Sequence, residues 1–227
     1  MRFRNVAAIV IGFAVAMAYM ESAVVVYLQR AIGINPDMLF PLRQSDVVGN
    51  LAAIEVGREF ATLVMLVALG CLVGRRAVDR LAWTSVAFGV WDMFYYVWLW
   101  VFIGWPHGPN TWDVLFLIPV PWAGPVWAPI AVSAALIAAG LAAARQVFMG
   151  RLPDVNFARG SAAVAGGLLV VASFVANAPA LFGGEMPGWF PWPVFVAGMA
   201  LAGWAAAASL RAPAVSAFAA PAAQSGD

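Results

Sequence analysis

The sequence has no lysine, one cysteine and one histidine, and only 10% of its 227 residues are charged. Each shortage excludes something. Without lysine there is no Schiff-base site for retinal and no phosphate-binding loop of the usual kind, which needs its Lys. Cys71 alone makes neither an internal disulfide nor a CxxC redox or metal pair. His107 alone supplies neither the two axial histidines of a haem nor a histidine-rich diiron site, so haem and retinal are not expected as cofactors. The shortage of charge matters most, because a soluble domain carries roughly a quarter charged residues to face water. With 64% hydrophobic residues this chain must have lipid as its solvent, and the bilayer is its first partner.

Six apolar runs are long enough to cross a bilayer, at about 20 residues per span. They cover about 6–28, 51–73, 81–104, a stretch ending near 144, 161–182 and 189–210. The predicted fold is all-α: a polytopic membrane helix bundle of about six transmembrane helices, forming one domain over 1–211. Residues 212–227, rich in Ala, Pro and Ser, read as a disordered cytoplasmic tail. Arg2, Arg4, an apolar core and the small residues Ala16 and Ala18 also fit a secretory leader. The apolar run continues through Val24, Val25 and Val26, however, which makes a full span.

The arginines orient the chain. Arg2, Arg4, Arg75, Arg76, Arg80, Arg145, Arg151, Arg159 and Arg211 fall on one side of six spans, and Arg30 and Arg43 on the other. The positive-inside rule places both termini in the cytoplasm of a cell with an inner membrane. No repeat is evident, and buried charge is confined to the first three spans, which weighs against an inverted-repeat transporter in one chain.

Charged groups within a span cost roughly 2.5–3.5 kcal/mol each, so they mark sites. The first span carries Glu21, the second Glu55, Arg58 and Glu59, and the third Asp92 beside Tyr95 and Tyr96. Glu55 and Glu59 are four apart, and so are Asp92 and Tyr96, so each pair shares a helical face. Arg58 follows Glu55 by three and reaches it on that side. At about 1.5 Å per residue all these side chains lie in the outer half of the bilayer or at its centre. They are expected to line one pocket open to the periplasm. Four carboxylates against one Arg58 require a shared proton, a bound cation or water. The bland alternative is an ion-pair network that only fixes helix packing.

Before the fourth span, Trp112–Pro125 contains Pro119, Pro121 and Pro125 in an apolar setting. It has no place in a regular helix. A re-entrant segment capping the pocket, with Asp113 joining the cluster, and an interfacial loop with its tryptophans at headgroup level are both open readings. Most of Trp98, Trp100, Trp105, Trp112, Trp122 and Trp127 are expected in the interfacial belt. His107 is expected in an exposed turn, and Cys71 as a buried inert thiol.

The stretch Glu55-Val56-Gly57-Arg58-Glu59 superficially resembles the glutamate-rich motif of CAAX-type intramembrane proteases. Those proteases also need histidines on later helices, and none is present here, so their chemistry does not carry over. The candidate ligand-binding set is Glu21, Glu55, Arg58, Glu59, Asp92, Tyr96 and Asp113. Transport or proton and ion handling is the leading expectation. An intramembrane enzyme using paired carboxylates, and an accessory subunit of a larger membrane complex, are the alternatives. A homo-oligomer or larger membrane complex is an expected partner; nucleic acid is not.

Overall fold

A computed structural model describes residues 2–33, 46–183, 187–211 and 214–215. Helices dominate: α1 (Phe3–Ile32), α2 (Asp46–Val73), α3 (Ala77–Ile103), α4 (Trp127–Phe148), α5 (Phe157–Val175), the one-turn-and-a-half α6 (Ala178–Gly183) and α7 (Trp192–Arg211). Six stretches among them are long and apolar enough to span a membrane, the fifth being α5 and α6 together. The chain is a multi-pass helical bundle, as its hydrophobic runs predict.

Local chemistry sets the helix ends. Gly33 and Gly104 close α1 and α3 in the left-handed region, each at φ +69°, where a side chain would be strained. Pro129 and Pro193 sit in the first turns of α4 and α7, where the missing N–H has no intrahelical acceptor to lose. Pro179 does the same for α6 and so separates it from α5. Asn156 caps α5 by accepting a 2.9 Å bond from the Arg159 N–H.

The third helix is the hub, packing against α1, α2 and α4, while α5 packs against α7. Glycines allow the closest approaches. A Cβ on Gly89 would lie 2.6 Å from the Ser133 carbonyl oxygen, and one on Gly140 would lie 2.7 Å from that of Ala82, so α3 and α4 meet backbone to backbone. Gly166 and Gly198 play the same part between α5 and α7. The apolar core between α1, α2, α3 and α4 contains Val10, Ala14, Ala18, Leu66, Val86, Val90 and Trp91.

The proline-rich segment forms a two-stranded antiparallel hairpin, β1 (Trp112–Phe116) and β2 (Trp122–Pro125). Its register pairs Trp112 with Pro125, Asp113 with Gly124 and Val114 with Ala123, then slips so that Phe116 pairs with Trp122. Near its tip, Phe116 packs on Phe88 and Trp91, close to the middle of α3. The hairpin is therefore re-entrant rather than interfacial. Its backbone survives at that depth because strand pairing and surrounding helices cover it. Gly124 lies against Phe174 of α5 and against Phe190.

Several expectations need correction. Of the six tryptophans named above, Trp100 and Trp127 are exposed, Trp105 is buried and Trp98, Trp112 and Trp122 are partly so: Trp98 packs on Tyr19 and Phe102, Trp105 on Tyr96, Trp112 on Phe190 and Trp122 on Phe174. Cys71 is exposed on α2, on a face that the described residues leave open, and not buried. His107 is exposed in a bend, as expected. A second pair of short strands, β3 (Arg151–Leu152) and β4 (Ala214–Val215), joins the α4–α5 connection to the segment after α7. The other residues of 212–227, together with Arg43 and Glu185, lie outside the described residues.

Candidate polar site within the bundle

The site is assembled on α1, α2, α3, α4 and the hairpin. Side-chain spacing on α2 does the first part. Arg58 directs its guanidinium to the Glu55 carboxylate one turn earlier, with Nε 3.0 Å from Oε2 and a second, closer contact from its terminal nitrogen. Its other terminal nitrogen meets Glu21 on α1. Thr62, four residues after Arg58, donates a 3.2 Å hydrogen bond to the second oxygen of Glu21. One cation thus joins two helices through two acids, and a hydroxyl satisfies what the cation leaves.

Glu59 turns away from Arg58 to a different partner. The backbone N–H of Leu117, just past β1, donates to both carboxylate oxygens at 2.9 and 3.1 Å. The hairpin tip is apolar and contains Pro119 and Pro121, which have no N–H. A carboxylate on α2 therefore satisfies one of the few donors the tip owns.

The remaining acids are held on the α3 side. Asp92 accepts a 2.8 Å bond from the Ser133 hydroxyl of α4. Asp113, on β1, accepts a 2.9 Å bond from the Tyr96 hydroxyl. Burial pushes the Asp113 carboxyl up to about 6, against the opposing pull of the Tyr96 hydroxyl and the Val114 N–H. Tyr95 adjoins Tyr96 on α3. Its ring meets that of Tyr96 edge-on at 5.3 Å. Glu21, Glu59, Asp92 and Asp113 are between 6% and 9% exposed, so none of these carboxyls is freely hydrated.

All seven residues singled out from the sequence lie on these elements as two subsets, Glu21, Glu55, Arg58 and Glu59 about α2 and Asp92, Tyr96 and Asp113 about α3. Together they hold five carboxyls and one guanidinium, which meets Glu21 and Glu55. Each carboxyl has a donor from a different part of the chain or from Arg58, while the Arg58 terminal nitrogen that meets Glu21 makes an ion pair without hydrogen-bond geometry. Among the described residues no three His, Cys, Asp or Glu side chains converge as a metal-binding group. Sequence reasoning missed Thr62, Ser133 and the Leu117 amide. Thr62 continues the 55–58–59 stripe by one more turn and was findable from spacing. Ser133 is a lone hydroxyl in an apolar helix, but nothing in the sequence pairs α4 with Asp92.

Comparison with known proteins places nothing beside this chain: no family model matches it, no curated protein matches it and no solved structure matches it.

Proposed function

We propose that this chain is an inner-membrane protein, its arginine-rich end and both termini in the cytoplasm, that handles protons or small cations through the carboxylate–arginine cluster. One observation supports this reading above others: five partly or fully buried carboxyls stand against a single Arg58 within one part of the bundle. A low-dielectric interior does not tolerate that excess of negative charge, so protons or a cation must complete the balance. Arg58 would hold Glu21 and Glu55 ionised. Glu59 and Asp92 each rest on a single hydrogen-bond donor, which a proton can replace at modest cost, and Asp113 on two. The dispersed acids support protons over a tightly ligated metal ion. The orientation is supported by the arginine distribution, since Arg2, Arg75, Arg145, Arg151 and Arg211 all lie at one end of the spans.

Proteoliposomes loaded with a pH-sensitive dye and given a potassium diffusion potential test the reading. Wild-type protein should acidify or alkalinise the lumen faster than empty vesicles, and Glu59→Gln should abolish the difference. Wild-type rates equal to those of protein-free vesicles, for protons and for sodium and potassium alike, would remove the transport reading. The cluster would then be structural, and the accessory-subunit alternative would take its place.

A further inference from the structure

The contact between Glu59 and Leu117 joins two elements that are otherwise fixed to different neighbours. At its base the hairpin is held by the Tyr96–Asp113 bond, by the Val126 N–H on the Thr111 carbonyl at 2.9 Å, and by the Trp127 N–H on the Pro109 carbonyl at 3.1 Å. Its Gly124 is seated against Phe174 and Phe190. The tip rests on α3 through Phe116 and on α2 through the Leu117 N–H. In turn, α2 packs chiefly on α3, and its described ties to α1 include Arg58 and Thr62, both on Glu21. The indole N–H groups of Trp91 on α3 and of Trp122 in the hairpin itself, which flank Phe116, have no acceptor among the described residues.

We propose that the Glu59–Leu117 bond is a protonation-sensitive latch that fastens the re-entrant hairpin tip to α2 while Glu59 is ionised and frees it when Glu59 takes up a proton. This deepens the proton-handling reading and rests on it for its biological meaning, though the latch itself can be tested alone. An ionised carboxylate shared by one N–H through both oxygens is a charge-assisted acceptor, roughly twice as strong as a neutral one. A proton on Glu59 removes the charge and occupies one of the two oxygens. Arg58 and Glu55 on its own helix bear on its ionisation, with Glu21 of α1 behind Arg58; the other titratable groups on the neighbouring elements are Tyr95 and Asp92 on α3 and Asp113 at the hairpin base. The tip has a second place to bond once released, because the orphan indole of Trp91 on α3 can donate to a carbonyl that a shifted tip would present. A two-position tip beside a titrating carboxyl is what coupling proton occupancy to access requires.

Amide hydrogen exchange reads this directly, because between Phe116 and Trp122 only Leu117, Ile118 and Val120 carry an N–H. Detergent-purified protein should show a protected amide in the peptide spanning 116–122 at pH 8.5. After correction for intrinsic exchange, that protection should fall by about tenfold or more as pH is lowered to 5, the loss expected for a hydrogen bond to a charged group. Glu59→Gln should exchange at the fast level at every pH, whereas Glu55→Gln should keep the wild-type dependence in form. Protection in the wild type that does not change with pH overturns the latch, even if Glu59→Gln cannot be purified. Loss of the latch with proton flux intact leaves the proposed function standing, and the reverse outcome leaves the latch standing.

Discussion

The Tyr96 hydroxyl donates a 2.9 Å hydrogen bond to the carboxylate of Asp113, and through it the third helix grips the base of the re-entrant hairpin. Both residues are buried, Tyr96 at 4% and Asp113 at 9% exposure, so the bond forms away from water. A carboxyl in that position favours its protonated form, and the hydroxyl only partly offsets the cost of the charge.

A pH dependence of stability follows from the Asp113 value, which burial raises from 3.8 to about 6. Between those values the folded chain keeps a proton that the unfolded chain has lost. Stability from this group is therefore present at low pH, declines as pH rises from about 4 to about 6, and stays low above that, a loss of about 3 kcal/mol. Asp113→Asn keeps an oxygen for the Tyr96 hydroxyl and removes the titration. Its melting temperature should exceed that of the wild type at pH 7.5 and approach it at pH 4. A constant difference between the two proteins across that range would contradict the assignment.

Arg58 should be far more sensitive to its partners than to its immediate neighbour. Arg58→Ala leaves Glu21 and Glu55 without their shared cation, at a cost of roughly 3–5 kcal/mol for an orphaned buried charge. Adding Glu21→Gln and Glu55→Gln to that variant should restore much of the melting temperature. Adding Glu59→Gln should restore little, because Glu59 is bonded to the Leu117 amide and not to Arg58. Equal rescue by Glu59→Gln would mean that the partners are exchanged in the working protein.

The six spans and the polar stripe of α2 were legible because each depends on one helix at a time: length, apolarity and a three-to-four residue period suffice. Glu55, Arg58 and Glu59 were therefore placed on one side of α2, and the contact of Arg58 with Glu55 was anticipated from their spacing. What spacing does not contain is which helix faces which. Hence the pairing of Asp92 with Ser133, forty-one positions apart, had no signal in the sequence. The hairpin lay between these cases. Pro119 and Pro121 ruled out helix, but re-entrant and interfacial readings stayed level until Phe116 was found against Phe88 and Trp91. The hairpin also sets Trp122 between Phe116 and Phe174.

The glycine contacts carry a packing prediction with an internal control. A Cβ at Gly89 meets the Ser133 carbonyl oxygen at 2.6 Å, a backbone atom that cannot move aside alone. Gly89→Ala should push α4 from α3, costing about 1–3 kcal/mol as overpacking does, and should lengthen the Ser133–Asp92 bond. Gly12→Ala, with nothing within 4 Å of its Cβ, should be neutral or stabilising by up to about 1 kcal/mol through helix propensity. Thermal melts of both variants in detergent check the contrast. Equal effects would show that α3 and α4 do not meet at this glycine.

Sidedness can be tested independently of any activity. Cys71 is the only cysteine, so Cys71→Ser gives a blank background. Two probe positions then separate the orientations: Val155, 55% exposed beside the arginine-rich α4–α5 connection, and Gly108, in the bend between α3 and the hairpin, where a new Cβ touches nothing. Six spans put these two on opposite faces of the membrane whatever the orientation, and the arginine distribution decides which face is which. In intact cells a membrane-impermeant maleimide should label Gly108→Cys and leave Val155→Cys untouched until the membrane is permeabilised. Labelling of Val155→Cys from outside with Gly108→Cys protected would invert the chain. The carboxyl cluster would then sit nearer the cytoplasmic side, and any proton reaching Asp113 and Glu59 would come from the cell interior.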